Sequence, residues 1–265
     1  MSGEDFLSSS SGTVTSRRAS LRDAAMDVSL RLRGIPRRLA RAASTQPPKR
    51  RVLAVGVERT DVSNLMPAAA AELRRSRHEV TLRTTDAGEK GKWENINGLL
   101  DATPPQEYDW LLLVDDDVVL PRGFLDGFLF LAERFDLRLA QPAHRRRSHG
   151  AWEVTRREWG SVVRETRFVE IGPLTALHSS TFSTLLPFPQ LRMGWGLDVH
   201  WSALAAQRGW PIGVIDALPM KHGLREVGTG YPVDAAVKEA REFLADRPYV
   251  RAEQAAQTLA AHRRF

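Results

Sequence analysis

Residues 108–119 read YDWLLLVDDDVV, an apolar run that ends in three consecutive carboxylates. Such a run is typical of a strand that is buried on both faces of a parallel sheet. Asp115, Asp116 and Asp117 follow where this strand ends, and ligands of open α/β sheets bind at the carboxyl ends of strands. Adjacent carboxylates repel one another unless a cation binds them, and hard oxygen ligands suit Mg²⁺ or Mn²⁺. The stretch therefore predicts a cation site at a sheet edge; the alternative is an acidic turn that caps the following helix.

Short apolar runs alternate with helical segments from residue 51 onward, which is typical of a sheet flanked by helices. We expect a mixed, mainly parallel α/β sheet in a single domain that spans residues 49–265. Segment 143–167 holds many arginines and shows little periodicity, so we expect a flexible loop there. The predicted strands are residues 51–57, 78–83, 108–114, 137–142, 168–171 and 212–217, and the predicted helices are residues 63–76, 92–102, 121–135, 179–186, 197–208 and 233–245.

Residues 1–48 differ in composition from the rest of the chain. Residues 1–51 hold eleven basic and four acidic side chains, whereas the whole chain has a net charge of +6, so the body is close to neutral. A serine run and paired prolines flank the arginines, and we expect a disordered Arg/Ser-rich tail. Residues 28–43 also allow a short basic helix on an anionic membrane surface, although Gly34 and Pro36 interrupt it.

The overall composition excludes several classes of protein. The 265 residues are 42% hydrophobic and 26% charged, as in a soluble globular chain, and no run reaches the ~18 apolar residues of a spanning helix. The first residues do not resemble a secretory signal, so we expect a cytoplasmic protein, with contact at the inner face of the membrane as a further option. The absence of cysteine excludes disulfides, thiolate zinc sites and cysteine nucleophiles. The neutral body predicts no specific nucleic-acid partner.

Three further motifs accompany the carboxylates: two follow them in the chain and one precedes them. Residues 193–198, MGWGLD, open a predicted helix, and residues 219–222, PMKH, follow the predicted strand after it. Residues 91–97, GKWENIN, precede the carboxylates. Taken in chain order, residues 91–97, the three carboxylates, residues 193–198 and residues 219–222 resemble the motifs of glycosyltransferases of the GT-A fold, and in particular the bacterial family-two type. The resemblance covers residues 51–225. The matching patterns are D-x-D, W-G-x-[E/D]-D, a later histidine and G-K-x-x-A-x-N, from which Asn95 departs.

This resemblance implies a GT-A (Rossmann-like) enzyme that transfers a sugar from a nucleotide-diphosphate donor, linked to UDP, GDP or dTDP, to an acceptor hydroxyl with inversion. The acceptor would be a saccharide, a lipid-linked molecule or a small molecule. The resemblance assigns the role of catalytic base to Asp198, although a single carboxylate stands where many relatives carry a pair. Helix capping is the alternative role of Asp198.

The remaining roles implied by the resemblance concern the metal, the donor and the acceptor. Mn²⁺ or Mg²⁺ would be bound by Asp117, His222 and Asp115. Donor contacts are expected from Arg59, Thr60, Asp86, Lys92, Asn97, Asp115 and Asp116, and acceptor or sugar contacts from Trp195, Gly196 and Glu170, with Glu170 as the second choice of base. Arg145, Arg146, Arg147 and Trp152 are expected to close over the diphosphate.

Two other functions are compatible with the sequence. Residues 115–119 also match the D-x-D-x-[T/V] motif of haloacid-dehalogenase type phosphatases, in which Asp115 would be the nucleophile and Mg²⁺ the cofactor. In that family the motif usually opens the domain, whereas here four predicted elements precede it. The third possibility is a basic protein that binds nucleic acid or a membrane surface through residues 1–48.

Overall fold

The computed structural model describes residues 4–8, 14–226 and 231–265. In these residues the helices are α1 Arg17–Leu32, α2 Ile35–Ala43, α3 Met66–Leu73, α4 Lys92–Ala102, α5 Phe124–Arg134, α6 Phe182–Leu185, α7 Leu197–Arg208, α8 Val233–Leu244 and α9 Ala252–Ala255. The strands are β1 Arg51–Glu58, β2 Glu79–Asp86, β3 Trp110–Val114, β4 Val118–Val119, β5 Leu139–His144, β6 Val163–Thr166, β7 Leu174–His178, β8 Ile212–His222 and β9 Thr258–His262. The predicted strand at residues 168–171 is wrong, because β6 and β7 lie on either side of it.

The strands form one mixed sheet in the order β2-β1-β3-β7-β5-β8-β6-β9, and β4 pairs with β8. β1 is parallel to β2 and β3, and β5 is parallel to β8. β7 lies antiparallel between β3 and β5, and β8, β6 and β9 are antiparallel neighbours. The sheet is mixed as predicted but less parallel than expected. A parallel neighbour needs a crossover connection, usually a helix, and the chain between β5 and β7 contains no α-helix.

Both faces of the sheet are covered by helices, which explains why the central strands are apolar throughout. In β1, Leu53 and Val55 pack into one core cluster, whereas Val52 and Ala54 pack into the other. The first cluster contains residues of α4, α7 and α8, and the second contains residues of α2, α3 and α5. Alternate side chains of a strand point to opposite faces, so a strand buried on both sides shows the continuous apolar pattern seen in the sequence.

The predicted disorder of residues 1–48 is wrong for residues 17–43, which form α1 and α2. Ser16 caps α1, and its hydroxyl accepts a hydrogen bond from the backbone of Ala19 at 3.2 Å. Gly34, with φ of 67°, lies between the two helices, and Pro36 lies in the first turn of α2, where a missing N–H costs little. Ile35 and Leu39 are buried, and each contributes roughly 1.5–3 kcal/mol. Residues 9–12 of the serine run lie outside the described residues.

Ion pairs between distant parts of the chain explain why α1 is ordered. Asp27 binds Arg157 at 2.6 Å and Arg145 at 3.0 Å. Asp23 is buried and accepts hydrogen bonds from the backbone of Arg146 at 2.9 Å and of Arg147 at 3.0 Å. Both carboxylates therefore connect α1 to the arginine-rich segment, more than a hundred residues away.

The expected flexible loop at residues 143–167 is also wrong, because its arginines are anchored. Arg164 is buried and binds Asp216 through Nε at 2.8 Å. Arg146 pairs with Glu153, and the Arg147 side chain donates to the carbonyl of Val14. These partners occupy the guanidinium groups that we expected to close over a diphosphate.

The first described residues pack against the last part of the chain. Asp5 binds Arg251 at 3.2 Å and accepts a hydrogen bond from the Tyr249 hydroxyl at 3.0 Å. Glu4 pairs with Arg241, and Phe6 packs edge-on against Tyr249. Residues 4–8 are therefore part of the folded domain. None of the helices within the described ranges has the length and apolar character needed to cross a membrane.

Candidate active site

A cleft of about 960 Å³ lies at the carboxyl ends of β1, β2 and β3. This is the edge at which the sequence predicts a ligand site. The cleft brings together most of the predicted site residues, which come from widely separated parts of the chain. Its lining includes Arg59, Asp86, Lys92, Asp115, Asp116, Asp117, Glu170, Trp195, Gly196, Asp198 and His222.

Each carboxylate of the Asp115–Asp117 cluster has a positively charged partner from the chain itself. Asp115 binds the Lys92 ammonium at 2.5 Å. Asp116 pairs with Arg225 and accepts the backbone N–H of Arg59 at 2.8 Å, and it is 4% exposed. Burial raises the pKa of Asp116, and the Arg59 N–H and the Arg225 charge oppose this effect without cancelling it. The fold therefore brings the positive charges of Lys92 and Arg225 next to the carboxylate cluster.

Asp117 is the most enclosed of the three carboxylates, and His222 is its nearest partner. Its Oδ2 lies 2.8 Å from His222 Nε2 and 3.6 Å from Arg225 Nε. Burial by itself would raise the pKa of Asp117, but the hydrogen bond and charge of His222, together with Arg225, hold it below its ordinary value. This carboxylate stays ionised at neutral pH, as a ligand for a cation must.

The pairing of β4 with β8 positions His222 beside Asp117. Val118 lies opposite His222 in this antiparallel pair, so the residue before Val118 is adjacent to the histidine ring. His222 Nδ1 lies 3.3 Å from the carbonyl oxygen of His149, which can only accept a hydrogen bond, and Nε2 donates to Asp117 on the other side of the ring. Burial by itself would lower the pKa of His222, but the contact with Asp117 outweighs burial and raises it.

Arg225 is a site residue that our sequence analysis missed. Its Nη2 binds Asp116, its Nε approaches Asp117, and its Nη1 is buried without a hydrogen-bond partner among the described residues. The sequence shows only an arginine in a polar loop after a strand. Only the pairing of β4 with β8 shows that this loop covers the carboxylates.

Asp198 differs from the three clustered carboxylates because no cation pairs with it in the part of the chain that the structure describes. It lies in the first turn of α7, lines the cleft and accepts the backbone N–H of Val199 at 2.9 Å. Burial, together with the charge of Glu170, raises the pKa of Asp198 to about 7. The N-cap of α7 is Gly196, so the alternative role of Asp198 as the N-cap is not supported.

Glu170 lies in the cleft near Asp198, but both of its carboxylate oxygens are occupied. Oε2 is 2.7 Å from His144 Nε2, and Oε1 accepts the backbone N–H of Trp152 at 3.1 Å. The backbone N–H of Glu170 donates to Gln141 at 2.5 Å. Because these contacts fix Glu170 in a buried position, it is less available than Asp198 to receive a proton from a ligand.

The turn before α7 is held rigidly by a carboxylate of α8. Glu239 accepts three consecutive backbone N–H groups, those of Arg192 at 2.7 Å, Met193 at 3.0 Å and Gly194 at 2.8 Å. Gly194 has φ of 82°, and a Cβ there would lie 1.8 Å from Trp93 Nε1, so no other residue fits. The turn presents Trp195 to the cleft, where its indole N–H donates to the Tyr231 hydroxyl at 2.7 Å.

The predicted donor-contact residues also line the cleft, with two exceptions. Asp86 ends β2, and hydrogen bonds from Thr60 and from the backbone of Gly88 lower its pKa. Thr60 bonds to Asp86 but does not itself line the cleft. Asn97 is also absent from the lining, contrary to our expectation. It lies five residues after Lys92, about 140° around α4, and its amide donates to the Phe188 carbonyl at 3.0 Å.

The chemistry of the donor atoms fits a divalent cation, although the present arrangement is neutralised by basic side chains. Asp117 offers a carboxylate, Asp115 lies two residues before it, and His222 offers Nε2 once the proton that Nε2 donates to Asp117 has been lost. Oxygen and imidazole ligands of this kind suit Mn²⁺ and Mg²⁺. Among the described residues, no three His, Asp or Glu side chains are already arranged as a metal site. Cation binding therefore requires Arg225 or Lys92 to move away from the carboxylates.

Comparisons with known proteins give similarities to solved structures only. No protein-family model matches the chain, and no curated protein matches it. The chain is similar to GalNAc-T7, solved with UDP, GalNAc and Mn²⁺, at 14% identity over 69% of this chain and 45% of that one, with a TM-score of 0.45. It is also similar to the catalytic domain of Drosophila beta1,4-galactosyltransferase 7 in complex with xylobiose, at 12% identity over 72% of this chain and 80% of that one, with a TM-score of 0.45.

A mycobacterial protein of known structure is similar at 14% identity, over 78% of this chain and 76% of that one, with a TM-score of 0.47. The chain thus spans less than half the length of GalNAc-T7 and about four fifths of the galactosyltransferase domain. Similarities at this level assign no activity. The function of this chain is therefore a question for the residues of its own cleft.

Proposed function

We propose that this protein is a metal-dependent glycosyltransferase of the GT-A type, which moves a sugar from a nucleotide-diphosphate donor to an acceptor hydroxyl with inversion. One observation carries this proposal. A single cleft holds a carboxylate cluster, in which Asp117 is ionised next to a histidine, and, on a separate element, a carboxylate with a pKa of about 7 that has no cationic partner among the described residues. The first group suits a cation and phosphates, and the second suits the removal of a proton.

The donor would bind along the carboxyl ends of β1, β2 and β3. Arg59 and Asp86 lie where the nucleoside would bind, and Lys92 and Arg225 supply positive charge for the phosphates. Asp117 and His222, with Asp115, would hold Mn²⁺ or Mg²⁺. When bound, the ion neutralises the charge that develops on the departing diphosphate.

Asp198 acts as the general base on the acceptor side. It accepts the proton of the acceptor hydroxyl while that oxygen attacks the anomeric carbon, and the bond from this carbon to the phosphate oxygen breaks. A single displacement of this kind inverts the anomeric configuration. Trp195, presented by the rigid turn before α7, offers an aromatic face to the sugar. A base is most effective when its pKa is close to the working pH, and the value of about 7 meets this condition.

The phosphatase alternative gives no role to Asp198 or to the turn that carries Trp195, although both line the same cleft as the carboxylates. It also requires Asp115 to attack a phosphorus atom, and Asp115 is held by Lys92 at 2.5 Å. Incubation with phosphate monoesters and Mg²⁺, followed by trapping of an aspartyl-phosphate, distinguishes the two. We expect no covalent phosphate on Asp115.

A thermal-shift screen with UDP, GDP and dTDP and with their sugar-linked forms, each without metal, with Mn²⁺ and with Mg²⁺, tests the proposed function. A ligand at 100 times its dissociation constant raises the free energy of unfolding by about 2.7 kcal/mol. We expect at least one nucleotide diphosphate to raise the unfolding temperature only when Mn²⁺ or Mg²⁺ is present. If no nucleotide stabilises the protein with either metal, the proposed function is wrong.

A further inference from the structure

The outward face of α1 exposes large apolar side chains. Leu21, Val28 and Leu32 are 71%, 50% and 84% exposed. Their spacing of seven and four residues puts them on one stripe of the helix. The opposite face of α1 is buried in the domain through Met26 and Leu30. The stripe is therefore directed away from the domain core, and the fold itself gives no reason for its apolar character.

Exposed arginines flank this stripe on α1, and further exposed arginines lie on α2, the next helix along the chain. None of their guanidinium groups forms an ion pair in the part of the chain that the structure describes. The only acidic residues between positions 14 and 48 are Asp23 and Asp27, and both are engaged by the arginine-rich segment. The helix face defined by Leu21, Val28, Leu32 and these arginines, called the α1–α2 face below, therefore carries positive charge and no negative charge. The arginines are Arg17, Arg18, Arg22, Arg31, Arg37, Arg38 and Arg41.

We propose that the α1–α2 face docks on an anionic membrane surface. The arginines match the negative charge of acidic lipid head groups, and the apolar stripe between them can enter the boundary between head groups and acyl chains. A nucleic acid would satisfy the arginines but would leave Leu21, Val28 and Leu32 in contact with water or phosphate. The combination of an apolar stripe with unpaired arginines therefore favours a lipid surface.

The α1–α2 face is connected through α1 to one wall of the cleft. Asp27 binds Arg157 and Arg145 from the inner side of α1, and Asp23 accepts hydrogen bonds from the backbone at positions 146 and 147. The same segment continues to residues 150–152, which line the cleft. Docking would therefore hold the cleft close to the lipid surface. The docking proposal does not depend on the proposed function, because no residue of the face belongs to the cleft.

Flotation of the full chain with lipid vesicles tests the proposal. The vesicles are pure phosphatidylcholine or an equal mixture of phosphatidylcholine and phosphatidylglycerol. We expect binding to the anionic vesicles and at least about tenfold weaker binding to the neutral ones. The triple variant Arg17→Gln, Arg18→Gln, Arg22→Gln should lose at least about tenfold in partitioning. The matched control Arg74→Gln, Arg122→Gln, Arg208→Gln removes the same charge from exposed positions elsewhere and should stay within about twofold.

A second variant separates lipid insertion from simple charge attraction. Leu21→Ser with Leu32→Ser keeps every arginine, and it should weaken binding to anionic vesicles at least about threefold while leaving binding to a DNA duplex unchanged. Circular dichroism checks that each variant is folded. Equal binding to both kinds of vesicle, equal losses in the triple variant and its control, or no effect of the two serines would each overturn the proposal. Nucleotide-diphosphate binding should be unchanged in all of these variants, so failure here leaves the proposed function intact.

Discussion

The carboxylate cluster after β3 and the single carboxylate at the start of α7 line the same cleft but have opposite surroundings. Asp117 lies against His222 and Arg225, and its pKa is held below the ordinary value. Asp198 is partly buried, accepts one backbone N–H and has a pKa raised to about 7 by burial and by Glu170. Within one cleft, the pKa of one aspartate is therefore lowered and that of another is raised.

The difference shows that the positions of neighbouring charges, more than the residue type, determine what an aspartate does here. Asp117 remains ionised because its cationic partners outweigh its burial, so it can bind a metal or compensate for positive charge. A carboxylate that is desolvated next to another acid becomes a stronger base. Titratable groups whose environments shift their pKa values apart are a common arrangement at catalytic sites.

The largest effect is expected for Asp198→Asn. Loss of a general base typically lowers the rate by about 10² to 10⁴. We expect at least a hundredfold slower sugar transfer on that scale, with unchanged nucleotide binding and unchanged thermal unfolding at pH 5. The matched control is Asp234→Asn, an exposed aspartate at the same position in the first turn of α8. Transfer within a few fold of the wild type would show that Asp198 is not the base.

A somewhat smaller effect is expected for Asp117→Asn, which tests the other side of the comparison. The amide removes the charge that faces His222 and Arg225 and provides a poorer ligand. Mn²⁺-dependent nucleotide affinity should fall by about ten- to a hundredfold, as measured by calorimetry. Asp101→Asn, an exposed aspartate of α4 outside the cleft, serves as the control. Wild-type affinity in Asp117→Asn would remove this carboxylate from the metal site.

The pH dependence of transfer follows from the raised pKa of Asp198. The base must be ionised to accept a proton, so the rate should rise about tenfold per pH unit below pH 7 and level off above it. This profile is measured as kcat/KM at saturating metal between pH 5 and 9. A plateau that already begins at pH 5 would show that the base has an ordinary carboxyl pKa.

The smallest effect is expected for Glu170→Gln, which removes the charge that disfavours ionisation of Asp198. The midpoint of the rate–pH profile should move down by a few tenths of a pH unit, while the plateau rate stays within a few fold. Gln at this position can still accept the N–H of Trp152. A loss of at least about a hundredfold across the whole pH range would instead identify Glu170 as the base.

The sheet and several helices could be predicted because their patterns are local. α4 and α7 have the predicted bounds, and β3 ends at the residue before the carboxylates as expected. The clustering of Asp117 with His222 also follows the predicted order of motifs. Asn97 was expected to line the cleft, but its amide donates to the Phe188 carbonyl instead. The spacing of an asparagine within a motif does not show which side of the helix faces the ligand.

The N-terminal helices and Arg225 could not be predicted for a different reason. The order of α1 depends on Asp23 and Asp27, whose partners lie over a hundred residues away, and no local pattern reveals such pairs. The arginine-rich stretch suggests a flexible loop because the acids that neutralise it come from elsewhere in the chain. Arg225 reaches Asp116 only through the pairing of β4 with β8, which is equally distant in sequence.

The packing of residues 4–8 has a consequence for the time at which the cleft is completed during synthesis. Phe6, Leu7 and Ser8 form part of the cleft wall, but their positions depend on contacts with residues 241–252. At about 5–20 residues per second, translation separates these two regions by roughly 10 to 50 seconds. Phe6, which is buried in the finished fold and packs edge-on against Tyr249, lacks this neighbour throughout the interval. A ribosome-bound chain therefore carries an incomplete cleft wall until residues 241–252 have been made.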